Sequence, residues 1–549
     1  MGIPYLYSNI VRKNPNVVVN HPPKCSRLFL DYNSIIHQVV NHLKNERGRV
    51  SIEFRDIFEK VVVHTDMVCQ ACKPEKLIYI AIDGVAPLAK QNQQRRRRYL
   101  SAYTNNMIEI FKKDNNISFI HWDSNQITPG TKFMKELDVF LRNYYASNDR
   151  VHISGSDEPG EGEHKAINFI KSSHKVSQNE PSDKEGVDVI YGLDGDLIML
   201  SLTCDKPIYL MRESAQIDNN YDSVGFKYVN IETLRKAISK HLYNSTDVRY
   251  MHDYVAMCIL IGNDFLPNIT TLKIRFNAIE VLCDVYKTIY GRLKENLVVH
   301  NGMAYSLNYN FVVLLIDELA KNEDFIMDHI TREYNKTDPP QQRIKQNKLD
   351  RFMSELDAYP LRNKTLSHAI DPSLNKNWRV DYYHNLFNDH SPTTVKMVCT
   401  TYIQGLVWNI DYYFNYNKMN AVSSPWFYEY LYAPCLSDIH KYLTIMGSKE
   451  FSTLFSHDKL ETIDIGNLQL LFVLPPQSID ILPTNLQAFM IDVNRGVSHF
   501  YPLQFKTSTY LKYQGWEALP LLPTINYTQL LFAYKQFMEK DDNHSTIKK

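Results

Sequence analysis

Short apolar runs alternate with longer segments of helical period over roughly the first 270 residues. The runs Arg27–Asp31, Leu77–Asp83, Ile117–Trp122, Arg150–Ile153, Val187–Leu193 and Pro207–Leu210 read as buried strands. Between them, Ser34–Lys44, Gln91–Asp114, Gly130–Ala146 and Glu161–Lys171 read as helices. This alternation predicts an α/β fold whose mainly parallel, twisted sheet is flanked by helices. Ser172–Gly186 and Glu213–Gly225 are polar and read as surface insertions. From about Tyr228 the pattern turns mostly helical. The polar stretch Glu333–Leu349, with Pro339-Pro340, reads as a linker. The division expected is a first region over 1–332, a linker over 333–350, a largely helical second region over 351–538 and a flexible tail over 539–549.

Composition narrows the function classes. With 44% apolar residues the 549-residue chain can bury a sizeable core, which excludes a disordered protein. Its 61 basic and 61 acidic residues cancel, so any anion site must be local rather than a basic coat. Eight cysteines are too few for a disulfide scaffold. The lone CxxC of Cys69 and Cys72 reads as half-buried helix residues, not as a zinc site. No secretory leader pattern opens the chain, and the longest apolar runs, such as Phe311–Ile316, are far too short to span a membrane. The expectation is a soluble intracellular protein without membrane contact, cytoplasmic in first place and nuclear as the alternative.

Acids recur where strands end. Asp31 and Asp83 each close an apolar run, and a third run leads into Asp194 and Asp196. Ligands of open α/β sheets sit outside the carboxyl ends of the strands. Glu161 and Glu163, in Pro159-Gly160-Glu161-Gly162-Glu163-His164, open a helix; their glycines permit close backbone approach. Asp264, in Ile261-Gly262-Asn263-Asp264-Phe265, adds a seventh oxygen donor. Each acid alone reads as a cap or strand-end residue. Together they predict two Mg²⁺ ions about 4 Å apart, the arrangement suited to in-line phosphodiester hydrolysis. Seven carboxylates cannot converge without cations to neutralise them.

A basic run follows Asp83 directly: Lys90-Gln91-Asn92-Gln93-Gln94-Arg95-Arg96-Arg97-Arg98. On a helix, Lys90, Gln94, Arg97 and Arg98 share a face. The guanidinium fork suits phosphate oxygens, so this face could hold a terminal phosphate beside the acids. Taken alone, such a run reads as a solvated face or a nuclear signal. His37, six residues past Asp31, and Trp426, in an aromatic stretch, are candidates to stack on bases.

In these motifs the chain resembles the Xrn-type 5′→3′ exoribonucleases of the PIN/flap-nuclease-like superfamily. The matches are Met1-Gly2-Ile3-Pro4, Leu30-Asp31 through His37, Ala81 through Pro87, Asn92 through Arg95, Ile127 through Thr131, Pro159 through Lys165, Tyr191 through Asp194 and Gly262 through Pro267. Gly405 through Trp408, Tyr432-Ala433-Pro434, Val473 through Pro476 and Phe500-Tyr501-Pro502 resemble the family's second region more loosely. The resemblance implies that the seven acids bind two Mg²⁺ or Mn²⁺ ions. It implies that Lys90, Gln94, Arg97 and Arg98 form a 5′-monophosphate pocket and that His37 and Trp426 bracket the first bases. The implied substrate is single-stranded RNA with a 5′-monophosphate, released as 5′-mononucleotides. The implied protein is a monomer, with decapping or RNA-processing proteins as partners. It is expected to be a short form without the extra C-terminal domains of the large cytoplasmic members. Leu88, Gln91, Arg96, Gly195 and Asn268 depart from the usual Arg, Met, Ser, Ala and His.

Two other functions use the same residues. A structure-specific 5′-flap endonuclease would place a glycine-containing helix–hairpin–helix after the last aspartate, yet Phe265–Tyr290 has no glycine. A catalytically silent RNA-binding scaffold would have no reason to keep all seven acids.

Overall fold

A computed structural model describes residues 5–21, 24–46, 51–174, 186–192, 194–213, 225–242, 248–340, 347–415, 424–454 and 465–546. Met1-Gly2-Ile3-Pro4, Leu193 and most of both expected insertions lie outside these segments.

Seven strands form one sheet: β1 (Val18–Val19), β2 (Cys25–Asp31), β3 (Leu77–Ala81), β4 (Val151–Ser154), β5 (Val187–Tyr191), β6 (Ile208–Glu213) and β7 (Phe226–Asn230). Their spatial order is β1-β7-β6-β5-β2-β3-β4. β2 through β6 run parallel, and β7 and β1 close one edge antiparallel. The chain steps from β2 towards β3 and β4, then returns to place β5 and β6 on the other side of β2. The switch between β2 and β5 opens a crevice at the carboxyl ends of the strands.

Side chains on successive strand residues point to opposite faces. Leu28 and Leu30 therefore join a core with Ile35, Val61 and Leu137, from helices Tyr32–Asn45, Phe54–Cys72 and Lys132–Tyr144. Phe29 joins the opposite core with Ile167 and Leu197, from helices Gly162–His174 and Asp196–Leu202. That second core continues without a break into the later helices, including Pro392–Phe414 and Leu436–Ser452. The later region thus packs on the sheet domain as one body.

The expected elements form, with ends shifted by a few residues, except Ile117–Trp122, which is not a strand. Asn116, at φ 54°, turns the chain after helix Leu88–Asp114, and the Ile117 N–H bonds back to Lys112. Trp122 spends its apolar surface on Phe133, ring centres 5.7 Å apart. The antiparallel edge strands β1 and β7 carried no clear pattern; β1 is only two residues long. Helices Glu323–Lys336 and Lys348–Arg362 reach into both ends of the linker segment, and helix Tyr527–Thr546 runs through most of the expected tail. Among the described residues, no helix is long and apolar enough to cross a membrane.

Candidate active site

Three adjacent parallel strands bring the first acids together. Asp31 ends β2, Asp83 lies two residues beyond β3, and Asp194 three beyond β5. The glutamates arrive through a joint between two loops. Gly84 N–H donates to Gly160 O and Gly160 N–H to Val85 O, each at 2.9 Å. The backbones are so close that a Cβ on Gly84 would lie 1.7 Å from Glu158 O. Gly160 itself sits at φ 106°, which L side chains rarely adopt. Gly162 N–H then donates to Asp83 Oδ1 at 2.6 Å, fixing Glu161 and Glu163 beside it. Lys165 secures the same joint by donating to Ile82 O and Gly155 O.

Asp196 opens its helix with its N–H on Asp194 Oδ1 at 3.3 Å, and Arg212 holds the Asp194 carbonyl at 2.8 Å. Asp264 rides a turn in which Asn263 Oδ1 accepts the N–H groups of Phe265 and Leu266. Lys90 Nζ lies between two of the acids, paired with Glu161 and with Asp264 Oδ2, the latter at 2.8 Å.

Electrostatics show that the seven acids sense one another. Burial raises the Asp31 carboxyl, and Asp83 and Asp194 add to it. Burial also raises Glu163, helped by Asp194 and Asp196. Asp196 is pushed up to about 8 by burial, then by Asp194 and Asp264. Glu161 is raised by burial against the pull of Lys90. For Lys90 the order reverses: burial opposes its charge, but Asp264, Glu161 and Glu163 hold it firmly protonated. Seven carboxylates, three buried and four half-buried, against one lysine are an all-oxygen donor set, and hard divalent cations such as Mg²⁺ or Mn²⁺ fit it by chemistry. Among the described residues, no group of three or more acid, histidine or cysteine side chains is arranged to hold a metal ion as it stands. Two of the acids, Glu161 and Asp264, pair with Lys90.

Helix Leu88–Asp114 forms the wall above the acids. Its polar run divides by task. Arg95 donates to the carbonyls of Pro523 and Phe500, and Arg96 to those of Glu429 and Tyr430. These two arginines tie the helix to the later region, and Leu88 packs there on Leu468 and Leu471. Arg98 is buried and donates to Thr128 Oγ1 at 2.5 Å and Asn125 Oδ1 at 3.2 Å. Its Nε, and Oε1 of Gln94, are buried without a hydrogen-bond partner among the described residues. Arg97 is exposed and unpaired among the described residues. Burial, then the Arg97 charge, depress Arg98. A guanidinium keeps its proton regardless, so this place favours a bound anion. Lys90 stands with the acids, while Gln94, Arg97 and Arg98 offer free polar atoms.

His37 is exposed within the cleft. Enclosure by the surrounding protein, then Arg97, Arg98 and Lys44, lower its pKa to about 4 and keep the ring neutral. Trp426 is half-buried and packs against Trp408, ring centres 5.1 Å apart. Trp408 in turn stacks on Tyr412 at 4.9 Å and 13°.

Two family models cover most of the chain: the XRN 5′-3′ exonuclease N-terminus over residues 1–214, and the Xrn1 helical domain over residues 245–372 and 373–546. The chain belongs to the Xrn 5′-3′ exonuclease family. Relatives include the 5′-3′ exoribonuclease 1 of Homo sapiens, 28% identical over 97% of this chain and 34% of the relative. The Schizosaccharomyces pombe 5′-3′ exoribonuclease 1 is 25% identical over 97% of this chain and 48% of its own length. The Candida glabrata 5′-3′ exoribonuclease 2 is 30% identical over 66% of this chain and 42% of its own length. This chain therefore spans between a third and a half of these relatives.

Within this Xrn-family site, several supporting residues escaped the sequence reading. Asn33 donates to Asp83 Oδ2 at 2.9 Å and accepts from the Asp83 N–H. Tyr412 donates to Glu161 Oε1, and Tyr413 to Asp196 Oδ1 at 3.4 Å. Both tyrosines come from the later region, and in sequence they look like any core aromatics. Their one signal is position: Tyr412 lies one helical turn after Trp408.

Tyr412→Phe removes the hydroxyl that orients Glu161 and keeps the ring stack. Loss of such an outer partner costs about 10–100-fold in metal affinity or activity. If Glu161 ligates a divalent cation, the expected result is a rise of that size in the cation concentration, tested with Mg²⁺, for half-maximal nuclease activity, with RNA binding unchanged. An unchanged Mg²⁺ requirement counts against Tyr412 as a support for Glu161.

Gly405 has a packing reason. A Cβ there would lie 2.6 Å from Leu266 Cδ2 and 2.7 Å from Trp426 Cζ2. Gly405→Ala must displace Trp426; if that ring stacks on a base, about 1–3 kcal/mol of stacking goes with it. Weaker binding of single-stranded RNA, measured by fluorescence anisotropy, is expected even when the protein remains folded.

Proposed function

We propose that this chain is a 5′→3′ exoribonuclease that hydrolyses single-stranded RNA bearing a 5′-monophosphate and releases 5′-mononucleotides. One observation carries the reading: a cluster of buried and half-buried acids is tied through Lys90 to a helix that also offers Gln94, Arg97 and Arg98 with unused polar atoms. Family membership supports it, since the relatives bear the name 5′-3′ exoribonuclease.

Asp31, Asp83, Glu161, Glu163, Asp194, Asp196 and Asp264 would hold two Mg²⁺ ions, or Mn²⁺ in their place. Bound there, divalent cations would supply an activated water and charge stabilisation for the leaving oxygen. Asn33, Gly162 N–H and Tyr412 keep Asp83 and Glu161 in place for that purpose. Arg98, preset by Thr128 and Asn125, and Arg97 take the terminal phosphate by charge-assisted hydrogen bonds, with the Gln94 amide as a further donor. Lys90 joins them: its ammonium serves whichever neighbour, acid or phosphate, carries uncompensated charge. His37, kept neutral, and Trp426 bracket the first bases. The chain acts as a monomer inside the cell, in the cytoplasm before the nucleus, and meets decapping or RNA-processing proteins.

The test is product analysis on end-labelled RNAs that differ only at the 5′ end. The reading expects mononucleotides from 5′-monophosphate RNA in Mg²⁺ and far less from 5′-hydroxyl or 5′-triphosphate RNA. Faster cleavage of a 5′-flap DNA, or binding of 5′-phosphate RNA without mononucleotide release, would overturn it.

A further inference from the structure

A cavity of about 310 Å³ opens beside the site, with Arg97 and Asp264 on its rim. Its far wall comes from two segments that the site does not use, Lys273–Arg275 and Lys512–Trp516. Three cations line that wall. Among the described residues Lys273 Nζ donates only to the Leu511 carbonyl, at 3.0 Å, and the Arg275 guanidinium lies 3.9 Å over the Tyr513 ring. Lys512 makes no side-chain hydrogen bond among the described residues, and none of the three forms an ion pair there. The nearby acid, Glu517, already accepts the N–H groups of Tyr513 and Gln514. Burial, and then Lys512, push the Lys273 ammonium down to about 7. In a chain with no net charge, unpaired cations gathered around one cavity mark a place for an anion. The wall also carries aromatic surface, Tyr513 and the half-exposed Trp516.

We infer that this cavity is a nucleotide pocket on the product side of the site, which takes the 5′-mononucleotide as it leaves. The inference rests on the exoribonuclease reading above and adds a second binding place to it. A pocket near 300 Å³ is at the lower end of ligand sites, the scale of a single nucleotide rather than a strand. The ligand carries a phosphate for Lys273, Arg275 and Lys512 and a flat base for the aromatic wall. Arg97 lines the cavity and is the chain neighbour of Arg98 on helix Leu88–Asp114. A product phosphate that leaves Arg98 meets Arg97 and then the far cations, so its charge is compensated throughout.

The experiment is calorimetric titration of the full chain with 5′-AMP, and with inorganic phosphate, without divalent cation. Wild type is compared with Lys273→Met/Lys512→Met and, as a variant that leaves the Lys273 hydrogen bond intact, with Trp516→Ala. The expected result is that each variant weakens AMP binding by about tenfold or more, while 5′-phosphorylated RNA is bound as before. Wild type should also bind AMP more tightly than phosphate. Three results overturn the inference: AMP affinity unchanged in both variants, AMP bound no more tightly than phosphate, or RNA affinity falling in step with AMP affinity, which would make the cavity part of the substrate path. Because the titration reads binding without turnover, a chain that fails to degrade RNA but binds AMP here would defeat the functional proposal and leave the pocket standing.

Discussion

Replacing Asp194 by alanine should abolish mononucleotide release while 5′-phosphorylated RNA still binds. Asp194 is the acid through which the others are joined: its charge acts on Asp31, Glu163 and Asp196. Its carbonyl and carboxylate are fixed by Arg212 and the Asp196 N–H. Removing it takes away an anionic oxygen donor from the centre of the cluster. Electrostatic contributions of this kind are worth about 10²–10³ in rate for a single neutral donor. A carboxylate in the metal-ligating role proposed for Asp194 should exceed that, at about 10³-fold or more, or roughly 4 kcal/mol of barrier. Single-turnover assays in saturating Mg²⁺, paired with anisotropy on the same RNA, separate chemistry from binding. Near-normal turnover in Asp194→Ala would remove the metal assignment.

Replacing Arg97 and Arg98 together by alanine should erase the preference for 5′-monophosphate over 5′-hydroxyl RNA. Each guanidinium offers the phosphate charged hydrogen bonds worth about 1.5–3 kcal/mol. Losing both should cost about 10²-fold or more in kcat/KM on phosphorylated RNA and little on 5′-hydroxyl RNA. Arg98 also holds Thr128 and Asn125, and Asn125 in turn donates to Ser478 at 2.9 Å. Arg97→Ala alone therefore provides the cleaner comparison, because its exposed side chain has no partner among the described residues to lose. A monophosphate preference that survives both substitutions would sink the pocket assignment.

The arginine run shows why spacing alone reads such a helix incompletely. Arg95 and Arg96 are chemically identical to Arg97 and Arg98, yet they end on main-chain carbonyls of segments more than 300 residues away. The departures from the family pattern fit the same account. Arg96 ties the helix to the carbonyls around Glu429, Leu88 fills an apolar cluster, and Gln91 donates to the Ala86 carbonyl at 2.8 Å. Asn268 donates to Ile269 O and its backbone backs onto Gly262, whose φ of 94° lets the chain turn towards Asp264.

Local chemistry made much of the molecule legible in one dimension. Strand period, strand-ending acids and the Gly-Glu-Gly-Glu turn depend on near neighbours, so the parallel sheet, and the sequence positions at which seven acids gather, could be read from the chain. What neighbours cannot encode was left to the tertiary structure. Ile117–Trp122 has strand composition but no partner strand, and its apolar side chains serve as cover. Lys90 has phosphate-binding spacing but sits among the acids, because a buried ammonium is most stable where opposite charge is densest. Tyr412 and Tyr413 look like core aromatics until a helix from the distant half of the chain lays their hydroxyls on Glu161 and Asp196. The sequence by itself determined the mainly parallel sheet and marked the acids that gather at its strand ends, because both depend on local pattern; only the packing of the later helices against the sheet decided which side chains hold those acids, because such contacts join residues hundreds of positions apart.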